Sequence, residues 1–249
     1  MSFVDSHLHL EELGDTSKVV AQAAEAGVTR MIAMGTDVDR SRRAVEMANE
    51  HPAVWAGVGH YPTEEAVPDI DELRALALDP RVVAIGEVGL DFEHGAVSRH
   101  EQMVRLDWLF TLAVELDLPV SIHNRGAVSE IAELIGAHPG LRGVMHYFAL
   151  GVREADVFLA LGFYLSFAGL ITRPSRAELR DVVRECPADR LLLETDSPYG
   201  QAHKRMGTPN RPAYLIDTAE LVAQLRGLSL DELGELETAN ALRLFTRMS

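Results

Sequence analysis

Eight short, apolar, β-branched runs, each followed by a stretch of helical period, restrict what this chain can fold into. The runs are Phe3-Val4, Val28 to Met34, Ala53 to Val58, Val82 to Ile85, Val120-Ser121-Ile122, Gly143-Val144-Met145, Gly162 to Phe167 and Leu191-Leu192-Leu193. Most are apolar almost without interruption, as parallel strands buried on both faces must be. Between them the period changes: Met103, Leu106, Phe110 and Ala113 recur at helical steps, ending in Asp117 before Pro119. Ser175 with Glu178, and Ser229 with Glu232, have the spacing of capping boxes and are expected to start helices. Strand and helix alternating to the end predict an α/β fold, a single TIM (β/α)₈ barrel domain over residues 1–249 with extra C-terminal helices.

Composition narrows the setting. The start shows no basic segment followed by an apolar one, so no signal peptide is expected. The longest uncharged run, Val157 to Thr172, is shorter than the roughly 18 residues of a membrane span and reads as a helix end plus a buried strand. The single cysteine, Cys186, cannot form an internal disulfide; it reads as a packing residue in a cytoplasmic protein. With 38 acidic against 23 basic residues the formal charge is -15, which repels polyanions at long range. A nucleic-acid substrate would have to be held locally, by metal ions and a few basic side chains, rather than along a broad basic groove.

In such barrels catalytic groups come from the C-terminal ends of several strands. His7 and His9 lie two apart at the end of the first, so both imidazoles project to one side. The fourth run ends at Glu87, the fifth at His123, the sixth at His146 and the eighth, through Glu194-Thr195, at Asp196. Any one of these has an ordinary explanation in hydrogen bonding or turn chemistry, but all of them at the same end of different strands do not. Four imidazoles and two carboxylates meeting at one mouth need a cationic partner. Six ligands are too many for one open catalytic metal and suit two divalent cations sharing a carboxylate, with Glu87 the expected bridge. By ligand type the cations could be Mg2+, Mn2+ or Zn2+. His51, His94, His100 and His138 sit in polar contexts and are expected to be solvated, whereas His60, and more weakly His203, fall near the mouth.

Val4-Asp5-Ser6-His7-Leu8-His9, Gly86-Glu87-Val88-Gly89-Leu90-Asp91, Pro119 to Arg125, His146-Tyr147-Phe148, Leu165 to Gly169, Glu194-Thr195-Asp196-Ser197-Pro198-Tyr199, Asn210-Arg211-Pro212 and Asn240 together resemble the TatD-type metal-dependent deoxyribonucleases of the amidohydrolase superfamily. The resemblance implies a TIM barrel with a two-metal site that hydrolyses phosphodiester bonds at DNA ends. It implies that His7, His9, Glu87 and Asp196 hold one metal, and Glu87, His123 and His146 the other. The chain departs from that pattern in three places. Gly59-His60-Tyr61-Pro62 stands for the usual Gly-x-His-Pro, Gly126 replaces an acidic residue, and Met206 replaces a basic one.

The expected chemistry is metal-assisted hydrolysis, with Asp196 orienting the attacking water and taking its proton. Arg125 and Arg211 are expected to contact phosphate, His60 and Tyr199 to contact substrate, and Phe92, Tyr147 and Tyr199 to stack bases. DNA is the expected partner, with no membrane and no obligate protein partner. The same metal centre would equally serve a small-molecule hydrolase acting on a lactone, amide or phosphate ester, and a binding protein with a structural metal is a further alternative.

Overall fold

The structure, a computed structural model, describes residues 2–248. Eight parallel strands follow one another around one sheet in chain order: β1 (Phe3–Leu8), β2 (Val28–Met34), β3 (Val54–Val58), β4 (Val82–Asp91), β5 (Val120–Arg125), β6 (Gly143–Met145), β7 (Tyr164–Phe167) and β8 (Leu191–Leu193). Helices α1 (Thr16–Glu25), α2 (Val38–Glu50), α3 (Ile70–Ala77), α4 (Arg99–Glu115), α5 (Val128–Ala137), α6 (Val152–Ala160) and α7 (Ala177–Glu185) fill the crossovers, and α8 (Leu215–Arg226) and α9 (Leu230–Leu244) follow β8. The result is a TIM barrel. Its seam is joined where Ser6 Oγ donates to the Leu193 carbonyl (2.9 Å), Thr195 N to Asp5 Oδ1 (2.8 Å) and Asp196 N to the His7 carbonyl (2.9 Å).

The continuous apolar runs follow from two cores that share the strands. Phe3, Met31, Ala33, Leu191 and Leu193 face outward into the layer beneath the helices. Their neighbours Val4, Ile32, Met34 and Leu192 face inward, as alternation along a strand requires. That inner core is closed at the N-terminal end of the barrel by Ala241, Leu244, Phe245 and Met248. Polar groups of α9 tie the plug to the strands: Glu237 Oε2 accepts from Val4 N (3.0 Å), and Asn240 Nδ2 donates to the Leu191 carbonyl (2.9 Å). Among the described residues no helix is long and apolar enough to cross a membrane.

Boundaries at β2, β6 and β8 fall where the apolar runs place them, whereas β1, β4 and β5 run further, to Leu8, Asp91 and Arg125. Polar residues stay in extended geometry there because the neighbouring strand goes on pairing with them, as β4 and β5 do through Gly89–His123 to Asp91–Arg125. Gly89 permits this continuation with φ +151, and a Cβ at that position would lie 2.0 Å from the His123 carbonyl oxygen on β5. The stripe Met103, Leu106, Phe110, Ala113 is the inner face of α4, which begins at the Ser98 cap and ends before Asp117, where φ is +52. The capping box at Ser229 forms, with Glu232 reaching back. The one expected at Ser175 does not. A turn closed by Arg176 N donating to the Arg173 carbonyl (3.0 Å) carries Ser175, so the N-cap position of α7 falls one residue later, on Arg176, with no side-chain cap. His138 also departs from expectation: its side chain is 12% exposed, packs edge-on against Phe110 and bonds the Leu134 carbonyl at 2.8 Å. Cys186 is buried.

Candidate metal centre

The side chains expected at the mouth converge on Glu87, itself buried at the middle of β4. Glu87 Oε2 lies 3.5 Å from His7 Nε2 and 3.5 Å from His9 Nε2; Asp196 Oδ1 lies 3.5 Å from His9 Nε2 and 4.0 Å from His7 Nε2. On its other side Glu87 Oε1 is 3.0 Å from His146 Nε2 and 3.3 Å from His123 Nδ1. One carboxylate thus presents a different oxygen to each of two ligand groups. His7 and His146 stack with centroids 3.8 Å apart, holding the two groups side by side.

Three residues not singled out from the sequence orient the imidazoles. Ser121 Oγ lies 3.0 Å from His7 Nδ1, Glu194 Oε1 3.2 Å from His146 Nδ1, and Asp91 Oδ2 3.4 Å from His123 Nε2. Each occupies the ring nitrogen that faces away from Glu87, which fixes which nitrogen is left to ligate. Glu194 is anchored in turn by accepting from Tyr147 N at 2.7 Å. Their signal in the sequence is proximity to the motifs: Asp91 and Glu194 sit inside the same runs as Glu87 and Asp196, and Ser121 is two residues before His123. Tyr147 (φ +45) and Asp196 (φ +55) adopt left-handed backbone right beside the site, a strain tolerated where geometry serves function.

The electrostatics describe a cage prepared for positive charge. Burial would raise the Glu87 pKa, but the charge of His146 and the hydrogen bonds from His123 and His146 hold it well below the carboxylate range. Burial pushes His7 down to about 4, so its imidazole is neutral, the form that ligates a metal. His9 is driven the other way, to about 9, because its bonds with Asp196 and the charge of Glu87 outweigh burial. His7 Nε2 is buried without a hydrogen-bond partner although it points at two carboxylates. An orphaned imidazole nitrogen among carboxylate oxygens fits a cation. Two donor groups, His7–His9–Glu87 and Glu87–His123–His146, each bring three ligand atoms within 4.8 Å of one another.

Above these residues opens a cleft of about 510 Å³, lined also by Glu12, Arg40, Tyr61, Arg125, Tyr147 and Tyr199. Arg125 and Tyr199 therefore reach the mouth as expected. His60 does not: it is buried, 3.5 Å from Arg105 Nη1, and burial followed by the Arg105 charge lowers its pKa to about 4. Its neighbour Tyr61 faces the cleft instead, with its hydroxyl 3.4 Å from His123 Nε2. Arg211 is also outside the cleft lining; its Nη1 donates to Gln22 Oε1 of α1 at 3.2 Å. Phe92 lies under the Arg99 guanidinium, 4.6 Å from ring centre to Cζ. His203 is exposed in a short 3-10 turn beyond β8. Arg40, which donates to Thr36 Oγ1 at 2.9 Å, reaches the cleft from α2, and no local pattern in the sequence announces it.

A parallel barrel whose C-terminal mouth gathers four imidazoles and an aspartate around a buried glutamate is the frame of a metal-dependent hydrolase. The chain belongs to the TatD related DNase family, whose model matches residues 4–246. It is 35% identical over 253 residues to the uncharacterized metal-dependent hydrolase YabD of Bacillus subtilis (strain 168), covering 97% of this chain and 98% of that one. It is 36% identical over 242 residues to the 3'-5' ssDNA/RNA exonuclease TatD of Pantoea vagans (strain C9-1), covering 93% of each. The crystal structure of YjjV, a TatD homologue from Escherichia coli K12, superposes with a TM-score of 0.92 at 31% identity, covering 98% of both chains.

Proposed function

We propose that this hydrolase is a two-metal phosphodiesterase that removes nucleotides from the ends of single-stranded nucleic acid. The observation that carries the reading is the split of Glu87, one oxygen toward His7 and His9 and the other toward His123 and His146. In this reading His7, His9, Glu87 and Asp196 hold one cation and Glu87, His123 and His146 the second. Divalent cations in such pairs acidify water and stabilise charge on phosphoryl oxygens. Asp196, 14% exposed against 4% for Glu87, is the more open of the two carboxylates in the ligand set, and it takes the proton of the attacking water. Arg125 supports a phosphate at the rim, and Tyr147 and Tyr199 offer ring faces to bases.

The substrate reading draws on the exonuclease named among the relatives. The test is cleavage of end-labelled single- and double-stranded oligonucleotides by protein loaded with Mn2+, Mg2+ or Zn2+. Nucleotide release that requires metal and is lost in Asp196→Asn supports the proposal. Turnover of lactone, amide or phosphate-ester substrates with no nucleotide release would instead assign the same centre to a small-molecule hydrolase.

A further inference from the structure

A second groove of about 340 Å³ opens between the loops that follow β5, β6 and β7. It shares His123, Arg125, His146 and Tyr147 with the metal cleft and so leads away from the ligands themselves. Its walls carry three guanidiniums, those of Arg125, Arg173 and Arg176, against a single carboxylate, Glu93. Among the described residues these three arginines make no ion pair: the side chain of Arg125 meets only His94 Nδ1, at 3.4 Å. Arg173 Nε is buried with no hydrogen-bond partner, and so is Asn124 Nδ2, whose Oδ1 is engaged by Ala127 N at 3.2 Å. Other arginines meet a carboxylate, as Arg74 does Glu115, Arg142 Asp117 and Arg205 Asp217, or spend their donors on backbone carbonyls, as Arg81, Arg180 and Arg226 do.

On a chain of net charge -15, a pocket that concentrates unpaired cations and unanswered donors is built for an anion. The side chain of position 126 is absent, since glycine stands there with φ +66, so no further acid offsets the arginines. The patch is too local for a duplex backbone, whose binding needs many phosphate contacts, and Tyr147 at the junction of the two clefts offers one base a stacking face. We infer that this groove binds the phosphate next to the scissile one in a single-stranded nucleic acid. Arg173 and Arg176 hold its oxygens and Asn124 Nδ2 donates a hydrogen bond. The inference rests on the nuclease reading above and adds to it the path of the strand.

The test compares wild type, Arg173→Gln/Arg176→Gln and Arg153→Gln, an exposed arginine of α6 outside the groove. The substrates are a single-stranded oligothymidylate of about twelve nucleotides and the dinucleoside monophosphate TpT, which has no second phosphate. The double variant is expected to raise KM for the oligonucleotide about tenfold with kcat unchanged, and to leave TpT cleavage alone. The slope of log(kcat/KM) against log salt is expected to flatten by roughly 0.7, the value for one lost single-strand phosphate contact. Fluorescence anisotropy of the labelled oligonucleotide with chelator-treated protein repeats the comparison without turnover. An unchanged KM and salt slope in an active double variant overturns the groove assignment alone, as does an equal loss on TpT. If wild type cleaves neither substrate with any metal, the nuclease reading falls and takes the groove with it.

Discussion

With Oε1 3.0 Å from His146 and Oε2 3.5 Å from His7 and His9, Glu87 serves both halves of the site at once. Glu87→Gln turns one oxygen into a donor that faces imidazoles, so bound metal per chain, measured by elemental analysis, is expected to fall at both positions. Glu194→Gln touches no ligand atom of the Glu87 cluster directly, yet it loosens His146; metal affinity is expected to fall about 10- to 100-fold in competition with a chelator. Asp196→Asn is expected to lower kcat by about 10²- to 10⁴-fold in the oligonucleotide assay while the protein keeps its fold. The converging residues were legible because each ends an apolar run, a signal that depends on strand geometry alone. Ser121, Asp91 and Glu194 were not, since orienting an imidazole is a matter of one contact in space. The His60 and Tyr61 exchange shows the same limit: a one-residue difference in the loop after β3 decides which side chain meets the cleft.

Elements carry a different kind of information. The runs that became β2, β6 and β8 ended where their apolar residues ended, but β4 continued through Glu87 to Asp91. Polarity there reports the function of a strand end rather than the end of a strand. Gly89→Ala places a methyl against the His123 carbonyl in a backbone region that alanine avoids; a loss of about 2 kcal/mol or more is expected in urea unfolding. Helix caps give a paired test. Ser98 accepts from Glu101 N at 3.2 Å, so Ser98→Ala should cost about 1 kcal/mol. Ser175 lies in the turn before α7 and caps nothing, so Ser175→Ala should change stability by no more than about 0.5 kcal/mol. Spacing alone made both Ser175 and Ser229 look like caps; the preceding Arg173–Arg176 turn separates them.

For the molecule as a whole, the barrel is read easily from alternation, whereas the way it is closed is not. α9 plugs the N-terminal end and brings a buried acid, Glu237, against β1, where burial pushes its pKa from the ordinary 4.5 to about 8. A folded pKa above the unfolded one means that the native state binds the proton more tightly. This contribution to stability is therefore full below pH 4.5 and lost as pH rises through 8, with a slope of at most about 1.4 kcal/mol per pH unit. Glu237→Gln is expected to remove that slope, so urea unfolding should show the variant gaining on wild type between pH 5 and pH 8. The opposite mouth holds the claim on which the functional reading depends. Crystals grown with Mn2+ and measured at its absorption edge decide it: two anomalous peaks are expected, one between His7, His9, Glu87 and Asp196, the other between Glu87, His123 and His146. A single peak, or two that do not share Glu87, would contradict it.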